Sequence, residues 1–225
     1  MLMKGFSPTM KTALRTLMIA TLMTFSALAQ AADTSVLRPP AGSKVAIVVF
    51  EDLECPQCAR IEPLLEDAVK NYKIPLVRYD FSLPQHPWSF EAHVTARYFD
   101  TKSKQLGEEY RSWVFANQNF ITKMNVRGMS ERFAAEHHVT LPAFVDPEGK
   151  LAAKVKDDYA TGQKVGIDHT PTIYIVGASR QTPYIEVKEQ SQLFSTIDQM
   201  KALVKAEAPA PRPKSSAVRT GKPAQ

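Results

Sequence analysis

Two cysteines stand two residues apart in a chain of 225 that contains no others, in the run Cys55-Pro56-Gln57-Cys58. A disulfide closing so small a loop removes little entropy from the unfolded chain, so stapling is a poor reason to keep the pair. Reversible thiol–disulfide chemistry is a better one. It needs an attacking thiolate, a second thiol near enough to resolve a mixed disulfide, and a local field that favours the thiolate at neutral pH. The mouth of a helix supplies that field, because its unpaired N–H groups and dipole stabilise negative charge and bring a thiol pKa from about 8.5 down to about 3.5–7.5. Cys55 is therefore read as the nucleophile and Cys58, one turn further in, as the buried resolving thiol, with Pro56 and Gln57 modulating the pair.

The same pair is half of a zinc or copper site, and His86, His93, His137, His138 and His169 are available as further ligands. No second Cys-x-x-Cys and no regularly spaced His pair completes such a site, and Ala59 rules out the c-type haem attachment sequence. No metal and no cofactor is expected. A metallochaperone that uses the two thiols, or a redox-inert chaperone that binds peptides, stands as the alternative of a different class. His169 is read as a rim residue, His137-His138 as a solvated helix end, and Trp88, Trp113, Met124 and Met129 as core or groove lining.

The elements that must position the cysteines are legible around them. Residues 44–51 form a β-branched run without alternation, as in a central strand buried on both faces. Residues 56–72 place Ile61, Leu64, Leu65, Ala68 and Val69 at helical spacing, and Pro56 suits the first helical turn. The cysteines thus lie where a strand hands over to a helix, and residues 74–81 predict a second strand that completes a βαβ unit. Helices are predicted over 88–100, 104–117, 130–138 and 147–164, the last with Asp146 as N-cap. Strand character returns at 172–176 and 184–187 in hairpin arrangement, followed by a helix over 190–206.

The ends read differently from the body. Lys4, Lys11 and Arg15 precede an apolar run at 17–29 that closes in Ala27-Leu28-Ala29, the pattern of a secretory signal peptide over residues 1–31. The run is short and interrupted for a membrane span. Setting these three cations aside reduces the formal charge of +5 to +2, and setting aside Arg212, Lys214, Arg219 and Lys222 against Glu207 leaves the body at −1. So nearly neutral a body does not suit a nucleic-acid face. The Pro-rich basic tail, 207–225, has almost nothing to bury and is expected to be disordered, with contact to anionic envelope polymers as the other reading.

In several motifs taken in order the chain resembles the DsbA-like branch of the thioredoxin superfamily. The motifs are Phe50-Glu51-Asp52-Leu53-Glu54-Cys55-Pro56-Gln57-Cys58, Leu83-Pro84-Gln85-His86-Pro87-Trp88, Phe115-Ala116-Asn117-Gln118, and Val165-Gly166-Ile167-Asp168-His169-Thr170-Pro171-Thr172. The resemblance covers most of residues 32–206. It implies an α/β thioredoxin fold with a helical insertion, about 87–166, between the βαβ unit and a C-terminal ββα unit. It further implies that Pro171 is cis and lies beside the cysteines, and that Thr170 offers its backbone to a substrate peptide. The expected role is that of an exported dithiol oxidase in the periplasm or cell envelope. Its partners would be unfolded or partly folded exported proteins and a membrane quinone-linked thiol oxidase that recharges it. Reductase and isomerase roles on the same residues remain open. A monomer is expected, since the short lead after the leader leaves no room for a dimerisation domain.

Two departures from the family pattern matter. Thioredoxins carry a buried Asp, and DsbA a Glu, six residues before the first cysteine, where this chain has Val49. No deep proton acceptor of that type is therefore expected; Glu51, Asp52 and Glu54 are read either as opposing the thiolate or, for Glu51 and Glu54, as facing solvent and doing little. The residue before the second cysteine is neutral Gln57 where DsbA has His. With Glu51, Asp52 and Glu54 just ahead of Cys55, this predicts a less acidic nucleophile and a less oxidising pair than in DsbA.

Overall fold

The computed structural model describes residues 32–207. The leader expected over 1–31 and all but the first residue of the expected tail lie outside them. Four strands, β1 (Val45–Glu51), β2 (Leu76–Asp80), β3 (Thr172–Gly177) and β4 (Tyr184–Glu186), form one sheet in the order β2-β1-β3-β4. β1 pairs parallel with β2, from Ile47 opposite Leu76 to Glu51 opposite Asp80, and antiparallel with β3. β3 and β4 close a hairpin. The crossover between the parallel strands is α1 (Pro56–Tyr72), so both β1 and α1 bring their redox ends to the same side of the sheet.

Alternation along β1 divides the core into two layers. Val45, Ile47 and Val49 face α1 and α6 (Leu193–Ala206), where Ile61, Leu65, Ile197 and Met200 meet them. Ala46, Val48 and Phe50 face the other way, against Phe81, Val165, Ile167 and Tyr174. Every residue of β1 is buried, which is why its sequence shows no polar alternation.

Between β2 and β3 come α2 (Ser89–Asp100), α3 (Lys104–Asn117), α4 (Val126–Glu136) and α5 (Lys150–Val165). The first three build a core of their own around Phe99, Tyr110, Val114 and Phe133, and Cys55, Cys58 and Leu53 belong to it. The cysteines therefore sit in the seam between sheet and helices. α5 returns to the sheet through a close approach at Gly162, where an added Cβ would stand 2.5 Å from the Phe81 ring.

Some boundaries differ from the sequence reading for local reasons. α4 starts at Val126, four residues early, because Asn125 closes the preceding turn, its side chain accepting from Thr122 N and donating to Phe120 O. α5 begins at Lys150, after Gly149 at φ 70°, and not at Pro147. Asp146 nonetheless caps it from outside, accepting from Ala152 N at 2.8 Å. The last helix is preceded by a 3-10 turn at Gln190–Gln192.

Candidate redox site

Cys55 occupies the N-cap of α1, with extended backbone (φ −77°, ψ 120°) and Pro56 following at the first helical position. A sulfur thus stands where a serine or aspartate oxygen usually caps a helix, facing the amides of the second and third helical residues. Its thiol is brought down to about 5. The Cys58 thiol, donating to it, is the largest cause; burial opposes the shift, and Thr170 and the amides of Cys58 and Gln57 add to it. Cys58 is driven the other way, well above the ordinary thiol value, by burial and by Cys55 beside it. Both are free thiols, and Cys58 is only 1% exposed. Asp52 N donates to Cys58 Sγ at 3.5 Å.

The third element of the site arrives from β3. The Thr170–Pro171 bond is cis, and Cys55 Sγ donates to Thr170 O at 3.3 Å across 115 residues of sequence. The Thr170 hydroxyl is buried without a partner, leaving a donor beside the sulfur for the ionised state. Thr172 Oγ1 donates to His169 O and fixes the turn into the strand. His169 itself is an exposed rim residue paired with Asp168 at 2.6 Å.

The acidic residues ahead of Cys55 correct the sequence reading. Glu51 does not face solvent: it is 1% exposed, and Asp52 is fully buried. Glu54 is half-buried, accepting from Trp88 N at 2.8 Å and Ser89 N at 3.1 Å to cap α2. Asp52 accepts from Glu54 N and Leu83 N and lies 2.7 Å from His86 Nδ1, so it turns the loop and takes its own charge out of the path of Cys55. A deep carboxylate is present after all, two residues beyond Val49 on the same face of β1. Glu51 reaches Arg78 at 2.5 Å, and Arg78 also holds Glu62 and Glu108, each at 2.7 Å. Burial, more than the opposing Arg78, pushes the Glu51 carboxyl up to about 7, and its charge helps keep Cys58 protonated.

The motif residues to which the sequence assigned no role stitch this loop to the helical core. Gln118 Nε2 donates both to Leu53 O at 2.9 Å and to Cys55 O at 3.1 Å. Leu53 N donates to His93 Nε2 at 3.3 Å, which places the His93 proton on Nδ1, 2.8 Å from Asp80 Oδ1. Gln57, by contrast, is exposed and makes no side-chain hydrogen bond among the described residues. His137 is the exposed C-cap of α4, as read, and also stacks on Phe133 with ring centroids 4.1 Å apart, whereas Met124, read as core or groove lining, is 93% exposed. Among the described residues no three His, Cys, Asp or Glu side chains converge as a metal-binding set.

Chemically, the arrangement joins a stabilised thiolate at the helix mouth, 6% exposed, a protonated second thiol buried beneath it, and the Thr170 carbonyl beside the first, which is the equipment of thiol–disulfide exchange. Comparison with known proteins agrees with this geometry. Residues 38–203 match the thioredoxin family model Thioredoxin_4. No curated protein matches the sequence. Among solved structures, the chain is similar to the thiol-disulfide exchange protein alpha-DsbA2 of Wolbachia pipientis, at 14% identity over 72% of this chain and 84% of that one, with a TM-score of 0.58. It is similar also to the catalytic domain of Proteus mirabilis ScsC (16%, 73% and 88%, TM-score 0.57) and to a thioredoxin-like oxidoreductase of Silicibacter pomeroyi DSS-3 (23%, 70% and 87%, TM-score 0.53). With its family model spanning nearly the whole described region and its fold shared with these structures, the chain belongs to the thioredoxin family and has a DsbA-like fold.

Proposed function

We propose that this protein is a thiol–disulfide oxidoreductase that works as an exported dithiol oxidase in the periplasm or cell envelope, with Cys55 as nucleophile and Cys58 as resolving thiol. The observation that carries the reading is the placement of the pair, Cys55 at the N-cap of α1 against Thr170 O with its thiol lowered to about 5, and Cys58 buried beneath it and raised well above the ordinary value. In the disulfide state a substrate thiolate attacks Cys55 Sγ. The Cys55–Cys58 bond breaks, its electron pair leaves on Cys58 and is protonated, and a mixed disulfide remains on Cys55. A second substrate thiolate then attacks the substrate sulfur, forming the product disulfide and releasing Cys55 as thiolate. A thiol of low pKa is a good leaving group, and its stabilised thiolate favours the reduced enzyme, so the oxidised enzyme tends to give its disulfide away.

Thr170 O, which accepts from Cys55 here, is free to pair with the backbone of a substrate strand once the sulfur is engaged, so Thr170 and Pro171 are assigned to substrate binding. Unfolded or partly folded exported proteins are the proposed substrates, their extended segments approaching past the exposed Asp168 and His169. Each turnover leaves the enzyme reduced, and the electrons must pass to an acceptor, for which a membrane quinone-linked thiol oxidase is the proposed class.

Equilibration with glutathione buffers tests the direction of flow. The oxidase reading expects a reduction potential well above the glutathione poise, toward the roughly −120 mV of DsbA; a value near the roughly −270 mV of thioredoxin would make the protein a reductase. Failure of the pair to titrate would return the site to a binding role.

A further inference from the structure

Thr170 carries a group that disulfide exchange leaves unused. Its carbonyl accepts from Cys55 Sγ at 3.3 Å, and a substrate backbone takes over that carbonyl when the sulfur is engaged. Its hydroxyl, on a residue only 7% exposed, has no hydrogen-bond partner among the described residues, although it lies close enough to the sulfur to help lower the Cys55 pKa. A buried donor left unpaired is costly, and an arriving peptide strand does not repay that cost. The sulfur has other donors as well, because the Cys58 thiol and the amides of Cys58 and Gln57 already serve it.

When Cys55 ionises, the two polar groups of Thr170 become a matched pair. The carbonyl loses the S–H it accepted from and is open to a new donor, while the hydroxyl can turn about one bond toward a new acceptor, both beside the sulfur. Cys55 is 6% exposed, so what reaches the sulfur without displacing the Thr170 turn is little larger than water. Hydrogen peroxide has that size, donates and accepts through adjacent atoms, and oxidises a thiolate. The nearby carboxylates are held away from the hydroxide that such a reaction releases. Asp52 is occupied by Glu54 N, Leu83 N and His86, and Glu54 by Trp88 N and Ser89 N.

We propose that Cys55, Thr170 and Cys58 together form a site that reduces hydrogen peroxide. Thr170 O accepts from one peroxide O–H, and the Cys55 thiolate attacks the nearer oxygen. The S–O bond forms and the O–O bond breaks, so that sulfur is oxidised to sulfenic acid and the far oxygen leaves as hydroxide. Thr170 Oγ1 donates to that oxygen as its charge develops, and solvent protonates it. Cys58, already donating to Cys55, then attacks the sulfenic sulfur. The S–S bond forms, the S–O bond breaks, and the hydroxyl leaves with the Cys58 proton as water. The reduced pair and one peroxide thus yield the disulfide and two waters. On the oxidase reading this recharges the enzyme independently of a membrane acceptor; the peroxide step itself rests only on the two thiols and Thr170.

The test is the rate at which the reduced protein, in anaerobic chelator-treated buffer at about pH 8.5, forms its disulfide on addition of hydrogen peroxide, read as loss of free thiol after a catalase quench. Nucleophilicity falls with thiol pKa, so a Cys55 thiolate without help from the site would react roughly 25- to 60-fold more slowly than free cysteine thiolate. The proposed site should instead react faster than free cysteine thiolate, by about tenfold or more. Alkylation by iodoacetamide, which needs the thiolate and neither group of Thr170, serves as the reference. The ratio of the peroxide rate to the iodoacetamide rate should fall by about tenfold or more in Thr170→Val and recover in Thr170→Ser. In Cys58→Ser, which lacks the resolving thiol, dimedone should label Cys55 after peroxide treatment. A parent rate no greater than that of free cysteine thiolate, a Thr170→Val ratio equal to that of the parent, or absence of the dimedone adduct would each overturn the proposal. The glutathione equilibration reports separately: a high reduction potential with a slow peroxide reaction removes this site alone, and a fast peroxide reaction with a potential near that of thioredoxin removes the oxidase reading alone.

Discussion

At the residue scale the site is governed by which groups surround each sulfur. Cys55 faces a thiol donor and amides, Cys58 is buried beneath it with the Glu51 charge adding a smaller push, and that difference divides nucleophile from resolver without any change of residue type. Because the Cys55 pKa is lower folded than unfolded, the stabilisation it gives the reduced protein is fully present above the unfolded value of about 8.5 and lost as pH falls through about 5. The reduced form should therefore gain in melting temperature over the disulfide form as pH rises from 5 to 8.5, with the thiolate ultraviolet absorbance titrating at the low end of that window; equal melting temperatures across it would contradict the assignment. Glu51 acts in the opposite sense on its neighbour. Glu51→Gln removes a charge that helps keep Cys58 protonated, so the Cys58 pKa should fall, a shift measurable by thiol alkylation against pH in a Cys55→Ser background. The sequence showed the acids but not their burial: Glu51 follows a strand of hydrophobes, and only the arrival of Arg78 from β2 explains how a carboxylate is tolerated there.

At the scale of elements, stability is concentrated where charges and close approaches cross between layers. Arg78 on β2 is enclosed by Glu51 of β1, Glu62 of α1 and Glu108 of α3, joining sheet, crossover helix and helical core through one guanidinium. Arg78→Met should destabilise the fold by about 3–5 kcal/mol in urea unfolding, because it strands buried carboxylates without a counter-charge. Gly162→Ala should cost about 1–3 kcal/mol, since the new methyl meets the Phe81 ring between α5 and the sheet. Gln118→Ala removes two donors from the carbonyls of the redox turn and should cost about 1–3 kcal/mol while altering the rate of exchange with a model peptide. A loss of stability with unchanged exchange would make Gln118 a clamp for the fold alone. The strands and most helices were legible from their apolar spacing. The start of α4 was not, because the turn that launches it is closed by an Asn side chain over a sequence with weak periodicity.

At the scale of the whole molecule, the redox turn and a cavity lined by Lys44, Lys73, Lys201 and Lys205 occupy opposite ends of α1, so chemistry and surface charge are separated along one axis. Removal of residues 208–225 should leave the reduction potential unchanged, as Glu51, Asp52, Gln57 and Thr170, which tune the cysteines, all remain. By itself the sequence determined the local chemistry: a cysteine pair at a strand-to-helix junction, a buried central strand, amphipathic helices, and the charge of each segment. These are properties of neighbours in the chain, set by covalent spacing and periodicity. Only the tertiary structure decided that Thr170 lies over Cys55, that Glu51 is buried against Arg78, that Gln118 and His93 hold the redox turn, and that four scattered lysines share one cavity. Those partners stand tens of residues apart, and their meeting follows from packing the helices between β2 and β3 against the sheet, a long-range outcome that no local pattern encodes.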